Sequence, residues 1–276
     1  MLAPENPDKE LLVSDGPILL ELLQGEIAHI RLNRPETSNG MNVEFLRALH
    51  DVVMICHGDP RVRVVLLSGE GKNFCAGGDV RIFASKGDDL PNYLRQATAY
   101  LQIAVSALMH LNAPVIACVH GFAAGGGGLG LVCSSDLVVA TASSKFMAGA
   151  TRAGMAPDAG VSVSLSRIVG LRRAMEIVLT NRIIDAQEAL ALGLVNRVVP
   201  DDQLFKESLA LAQELAAGAP QALAAAKRLL WNGVGLSVEA ALPEEARTVS
   251  ELSGMADVKE GLAAVIERRP AKFTGH

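Results

Sequence analysis

Short apolar stretches of strand length alternate with amphipathic stretches of helical length through most of the chain. Residues 26–32 place Ile27, His29 and Arg31 on one face and Ala28, Ile30 and Leu32 on the other, as a strand does. Strands are predicted at 26–32, 62–67, 115–119 and 137–140, and helices at 43–57, capped by Asn42, and at 91–111. This order predicts an α/β fold in which helices cover a largely buried sheet.

The two ends of the chain differ from this pattern. Residues 1–16 are polar and contain proline, so we expect a loose lead-in. From about residue 161 only helical spacing is recognisable, which predicts a helical last third. We therefore divide the chain into a core at 1–200 and a helical region at 201–276. One predicted helix has a strongly apolar face, which favours self-association and is formed by Phe205, Leu209, Ala212 and Ala216.

Composition narrows the function classes. Of 276 residues, 50% are hydrophobic, which excludes a disordered chain, and the formal net charge of −5 argues against a nucleic-acid-binding surface. The 4 cysteines form no CxxC pair and are expected to be reduced, which favours a cytoplasmic protein. We expect no signal peptide, no membrane span and, because the 6 histidines are scattered, no metal site.

Two glycine-rich motifs each follow a predicted strand. The first is GKNFCAGGD at 71–79, which could be a plain turn or a place where backbone N–H groups approach a ligand. The second is VHGFAAGGGGLG at 119–130, which also fits the dinucleotide pattern GxGxxG. A dinucleotide site needs an acidic residue about 20 positions later, and none lies near Lys145. The second motif is therefore interpreted as a helix N-terminus whose free N–H groups face an anion.

Asp158 lies in the third motif, GMAPDAGVS at 154–162. It could simply cap the helix that follows. Alternatively, its apolar neighbours Met155, Ala156 and Val161 would raise its pKa and make it a stronger base. The sequence alone leaves both roles open.

Together these motifs resemble the crotonase (enoyl-CoA hydratase/isomerase) superfamily over residues 26–273. LNRPE at 32–36 precedes the three motifs, and LSRIVGLRRAMEIVLTNRIIDAQEALALGLVNRVVP at 165–200 and EGLAAVIERRPAKF at 260–273 follow the glycine run. The resemblance implies a spiral of ββα units followed by a helical trimerisation region, hence a homotrimer or a dimer of trimers.

The resemblance also implies an acyl-CoA thioester as the substrate, with no further cofactor. Its carbonyl oxygen would accept hydrogen bonds from the N–H groups of Gly78 and Gly126, with Gly127 as the alternative second donor. The adenine of CoA would contact Ala76, and Lys272 and Phe273 would complete the CoA site of a neighbouring subunit. Residues 79–100 are expected to border the acyl group.

Two departures from the family pattern bear on the reaction. The glutamates that a hydratase uses would fall at Leu129 or Gly130 and at Ala150, so the ordinary hydration mechanism is not expected; Ala150 remains a candidate substrate contact. Asp158 matches the aspartate of acyl-CoA isomerases and of 4-chlorobenzoyl-CoA dehalogenases. A dehalogenase would also need histidine at Gln102 and tryptophan at Ala150, so dehalogenation is not expected of this chain.

The resulting expectation is an acyl-CoA isomerase or lyase with Asp158 as its acid/base. One alternative is a crotonase homologue without turnover, either an acyl-CoA binder or an RNA-associated protein. Another is a hydratase or lyase that acts through a different residue. Product analysis with acyl-CoA thioesters separates these alternatives.

Overall fold

A computed structural model describes residues 9–276 of the protein. The strands are β1 Lys9–Val13, β2 Ile18–Leu23, β3 Ile27–Leu32, β4 Val64–Gly69, β5 Val115–Val119, β6 Phe122–Ala124, β7 Leu137–Thr141, β8 Lys145–Met147, β9 Ile184–Asp185 and β10 Arg197–Val199. The helices are α1 Val43–Gly58, α2 Val80–Ser85, α3 Leu90–Met109, α4 Gly125–Ser134, α5 Val161–Val169, α6 Leu171–Thr180, α7 Ala186–Ala191, α8 Leu204–Ala216, α9 Pro220–Gly233, α10 Val238–Leu252 and α11 Ala256–Glu267.

The strands form two sheets. The larger has the order β1-β2-β3-β4-β5-β7-β10, and β3, β4, β5, β7 and β10 run parallel. The smaller has the order β6-β8-β9. In each of the pairs β5–β6 and β7–β8, the first strand lies in the large sheet and the second in the small one. The chain therefore twice leaves the large sheet, enters the small one and continues into a helix. This repetition agrees with the predicted α/β class.

The central elements match the sequence predictions closely. The predicted strand at 115–119 is β5, and the predicted helix at 43–57 is α1, whose Asn42 side chain accepts a hydrogen bond from Phe45 N at 2.8 Å. α1 contacts α3 over the large sheet, and the core around them is mainly aliphatic. The four cysteines are buried and free.

Three predictions at the ends of the chain were wrong. Lys9–Val13 lies inside the expected loose lead-in, yet it is strand β1 and pairs antiparallel with β2; the first eight residues lie outside the described range. The last third is not entirely helical, because β9 and β10 each pair with a strand from the centre of the chain. These strands are 2 and 3 residues long, too short to show a period in the sequence.

α8 corrects the third prediction. Leu211, Ala212 and Ala216 of this helix are buried against the large sheet, with Leu209 packed beside them. Three of the four residues expected to join subunits therefore belong to the chain's own core, whereas Phe205 is 48% exposed. The division at residue 200 stays a prediction. Within residues 9–276, no helix is both long enough and apolar enough to cross a membrane.

Candidate active site

The first glycine motif lies between two other pieces of backbone. On one side, Met41 N donates to Gly77 O at 2.8 Å and Asp79 N donates to Met41 O at 2.9 Å. On the other side, Cys75 N donates to Phe122 O at 3.1 Å and Ala124 N donates to Cys75 O at 2.9 Å. The motif is therefore a fixed strand-like segment, and not the plain turn that the sequence also allowed.

This pairing directs the N–H of Gly78 away from Met41. In a parallel bridge the residues on either side of the bridging one make the hydrogen bonds, here Gly77 and Asp79. The N–H of Gly78 donates to no group in residues 9–276. Gly77 makes the turn possible with φ +96°, a conformation that favours glycine, and a Cβ there would lie 3.0 Å from Gly125 Cα.

The second donor group is the start of α4. This helix begins at Gly125 directly after β6, and Ala124 offers no side-chain cap, so the first-turn N–H groups of Gly125, Gly126 and Gly127 have no partner within the helix. Their partial positive charges form the positive end of the helix dipole. Gly126 Cα faces Asp158, whereas Gly127 Cα faces Met41 Sδ.

Asp158 does not cap the helix that follows it. α5 begins at Val161, its N-cap residue is Gly160, and no side chain caps it. Instead, the loop aims the Asp158 carboxylate at α4, where a Cβ on Gly126 would overlap Asp158 Oδ1. Ala159 holds the loop with φ +50°, an unusual value for a residue with a Cβ.

Burial raises the pKa of Asp158 above the ordinary value for aspartate, and a hydrogen bond from its own backbone N–H offsets the increase only in part. A carboxylate in such surroundings is a stronger base than one in water. Burial has the same effect on Cys75, whose pKa it raises to about 12, so this cysteine is not a thiolate nucleophile.

Both motifs and the Asp158 loop border one cavity of about 600 Å³. Its lining residues are Met41, Leu46, Ala76, Gly78, Val80, Phe83, Leu94, Ala97, Thr98, Leu101, Gly125, Gly126, Gly127, Met147, Gly149, Ala150, Arg152, Ala153, Met155, Ala156, Pro157 and Asp158. Six predicted site residues are therefore brought together: Ala76, Gly78, Gly126, Gly127, Ala150 and Asp158. The volume lies in the usual range for small-molecule sites.

Only one carboxylate lines this cavity within residues 9–276. Leu129 is completely buried in the core, and a Cβ on Gly130 would collide with Ala159. Ala150 does line the cavity but carries only a methyl group. The arrangement thus combines backbone donors for an anion with a single group that can move protons. No cluster of three potential metal ligands occurs in the described part of the chain.

Lys272 and Phe273 lie apart from this group. Lys272 N donates to Glu260 Oε1 at 2.8 Å, and the Phe273 ring packs at Gly261 of α11. Neither residue lines the cavity of its own chain. Their expected role in a neighbouring subunit's CoA site stays a prediction.

Sequence reasoning missed the side chains that hold the first motif in place. The Asn39 amide donates to the carbonyls of Asn73 at 2.9 Å and Phe74 at 3.0 Å. Arg34 Nη2 lies 3.2 Å from Asp79 Oδ2, next to Gly78. Asn39 and Arg34 belong to LNRPETSNG at 32–40. They lie far along the chain from residues 71–79, and no sequence pattern indicated that the two segments are in contact.

Comparison with known proteins identifies the family of this chain. A profile of the enoyl-CoA hydratase/isomerase family matches residues 23–276. A protein of Rhodobacter capsulatus named "Probable enoyl-CoA hydratase" is 37% identical over 258 residues, covering 94% of this chain and 98% of that relative. A "Probable enoyl-CoA hydratase" of Rhizobium meliloti is 34% identical over 256 residues, covering 92% and 97%.

Solved structures show the same fold. An enoyl-CoA hydratase from Polaromonas sp. JS666 aligns with a TM-score of 0.89 at 30% identity, covering 94% of this chain and 100% of the other. An enoyl-CoA hydratase from Bacillus anthracis aligns with a TM-score of 0.89 at 29% identity, covering 95% and 100%. The expected crotonase architecture is thus confirmed, and the chain belongs to the enoyl-CoA hydratase/isomerase family.

Proposed function

We propose that the protein isomerises an enoyl-CoA thioester, moving the double bond from the 3,4 to the 2,3 position. The thioester oxygen accepts hydrogen bonds from the N–H groups of Gly78 and Gly126. The CoA adenine contacts Ala76, and no cofactor beyond the CoA of the substrate takes part. We choose Gly126 over Gly127 because Gly126 is the residue in contact with Asp158.

Asp158 moves one proton in two steps. Its carboxylate removes a proton from the carbon next to the thioester carbonyl, and the electron pair spreads over the dienolate, whose oxygen is stabilised by the two N–H groups. The protonated Asp158 then returns the proton two carbons further along the chain. The reaction consumes no water, so one carboxylate is sufficient.

The contact between Asp158 and Gly126 is the observation that carries this proposal. It brings the base beside the oxyanion donors, so that a carbon attached to the bound carbonyl would lie within reach of both. The raised pKa of Asp158 supports its role, because a stronger base removes a carbon-bound proton more readily.

The names of the relatives favour hydration as the second candidate. Hydration adds water across the double bond, and a group must activate that water. Asp158 is the only carboxylate of residues 9–276 that lines the cavity. A hydratase would therefore have to use this one group both to take a proton from water and to give a proton to the substrate. We therefore rank hydration below isomerisation.

A panel of 2-enoyl-CoA and 3-enoyl-CoA thioesters in D₂O tests the proposal. We expect interconversion of the two, with deuterium incorporated next to the carbonyl, and no 3-hydroxyacyl-CoA. Asp158→Asn should lower turnover by about 10²–10⁴-fold, the usual contribution of a general base. Circular dichroism of the variant provides the folding control.

Two outcomes would contradict the proposal. Accumulation of 3-hydroxyacyl-CoA would assign the protein to the hydratases. Thioester binding without exchange or product for any acyl chain would leave the acyl-CoA binder as the better description.

A further inference from the structure

Arg152 is the only cation that lines the cavity within residues 9–276, as Asp158 is the only anion. Apart from these two residues and Thr98, every lining residue is apolar or glycine. The Thr98 hydroxyl already donates to Leu94 O at 2.8 Å. The cavity thus offers a ligand one cationic donor group, on a solvent-exposed residue, in an otherwise apolar lining.

The guanidinium of Arg152 has no carboxylate partner in the described part of the chain. Its one hydrogen-bond contact is with Met147 Sδ, 3.7 Å from Nη1, and a thioether is a weak acceptor. Arg182 and Arg269, by contrast, hold glutamates in ion pairs. The donors of Arg152 are therefore available to a ligand.

Arg152 does not pair with the Asp158 carboxylate. No ion pair or hydrogen bond joins the Arg152 guanidinium to the Asp158 carboxylate in residues 9–276, so the cation and the base are separate features of the cavity lining. Both residues nevertheless belong to the segment between β8 and α5. Ala76, the expected adenine contact, lies in a different segment, after β4. An acyl group that extends from the carbonyl past Asp158 would follow the segment that carries Arg152.

We propose that Arg152 forms a subsite for a carboxylate at the far end of the acyl chain, so that the substrates are thioesters of dicarboxylic acids. The inference rests on the proposed thioester site. The planar guanidinium fork matches a carboxylate with two parallel hydrogen bonds, and such charge-assisted bonds are stronger than neutral ones. The other lining residues are almost all apolar or glycine, which suits the methylene groups of such an acyl chain.

Binding of saturated thioesters tests this subsite without any turnover. Calorimetry would compare adipyl-CoA, which ends in a carboxylate, with hexanoyl-CoA, which has the same chain length and ends in a methyl group. Arg152→Ala should weaken adipyl-CoA binding about 10- to 100-fold, the effect of losing a charged hydrogen-bond pair, and leave hexanoyl-CoA binding within about 2-fold. Arg152→Lys should give an intermediate loss for adipyl-CoA.

Arg172→Ala is the matched control, because Arg172 is exposed on α6 and does not line the cavity. It should change neither affinity. Equal weakening of both thioesters by Arg152→Ala would mean that the guanidinium binds the CoA phosphates or supports the loop, and would overturn the inference. Unchanged affinity for adipyl-CoA would overturn it as well.

The two proposals fail separately. Wild-type protein that binds adipyl-CoA through Arg152 but exchanges no deuterium would retain the subsite and lose the isomerase function. Protein that isomerises enoyl-CoA but does not distinguish the two saturated thioesters through Arg152 would retain the isomerase function and lose the subsite.

Discussion

At the residue scale, the Asp158 carboxylate is placed for reactivity at the expense of stability. Its folded-state pKa lies above the ordinary value, so its contribution to stability is present at low pH and is lost as the pH rises through the raised pKa. At pH 7 the ionised group destabilises the fold. A neutral side chain of the same shape removes this penalty.

Asp158→Asn is therefore expected to raise the melting temperature at pH 7 while it lowers turnover. A gain of about 1 kcal/mol would correspond to about 2–4 °C. The difference between variant and wild type should shrink as the pH is lowered and wild-type Asp158 takes up a proton. Scanning calorimetry at several pH values measures this, and a lower melting temperature at pH 7 would contradict it.

The same shift sets the acid limb of the pH–rate profile. Because the base must be ionised to accept a proton, kcat/KM should fall at a pH above the ordinary pKa of an aspartate. Turnover of a 3-enoyl-CoA across the acid range would show this. A limb at the ordinary aspartate value would indicate that Asp158 is solvated during the reaction.

Gly126 tests the placement of the base directly. A methyl group at this position would overlap Asp158 Oδ1, so Gly126→Ala must displace the carboxylate. A displacement of about 1 Å can cost about 10²-fold in rate, and we expect at least this loss. Gly233→Ala is the control, since a Cβ on Gly233 meets no atom within 4 Å. Comparable activity of the two variants would separate Asp158 from catalysis.

At the element scale, a buried charge cluster joins the first strands of the large sheet. Glu21 of β2 bonds to His29 of β3, with 2.9 Å between Oε1 and Nδ1, and it is also paired with Lys9 of β1. Burial alone would raise the pKa of Glu21. The hydrogen bonds from His29 and Lys9, together with the charge of Arg31, reverse this effect and lower it to about 2.

Glu21→Gln should therefore destabilise the protein by about 2–3 kcal/mol at neutral pH. A depressed carboxylate pKa contributes stability above the unfolded-state value of 4.5, and this contribution is lost as the pH falls toward 2. Chemical unfolding at pH 7 and near pH 2 measures the difference, which should be small at the lower pH. Glu70→Gln, which removes a more exposed partner of Arg31, should cost much less.

The elements also show what a sequence can predict here. β5 was predictable as a continuous apolar run and α1 because it is long enough to display helical spacing, and the three motifs mark the backbone of the site. β9 and β10 were not, since their pairing with strands more than 30 residues away along the chain decides their conformation. Arg152 was missed because it is one exposed arginine among many until the fold makes it a cavity residue.

At the scale of the whole molecule, the helices after α8 leave apolar side chains in water. Val265 and Ile266 of α11 are 78% and 80% exposed, and Leu230 of α9 is 73% exposed. Large exposed apolar surfaces of this kind favour contacts between subunits. The trimer or dimer of trimers expected from the family resemblance stays a prediction, now placed on α9–α11 instead of α8.

A double change of Val265 and Ile266 to Asp should shift the sedimentation coefficient of the wild-type protein toward that of a monomer at micromolar concentration. Met54→Asp, at a 47%-exposed position of α1, is the control and should leave the assembly intact. Monomeric wild-type protein under the same conditions would contradict the prediction.

Ala150 and Leu129 differ in burial, and this difference affects which new activities could evolve from this chain. Ala150 faces open space in the cavity, so a glutamate there needs one substitution and little rearrangement. Leu129 has no exposed surface, and a glutamate there would bury a charge without a partner, which costs several kcal/mol. A lineage could therefore acquire the first carboxylate of water-adding chemistry by a nearly neutral step. A second carboxylate, at position 129, would require that the start of α4 be repacked beforehand. Reactions that need no water are therefore easier to reach from this chain than hydration.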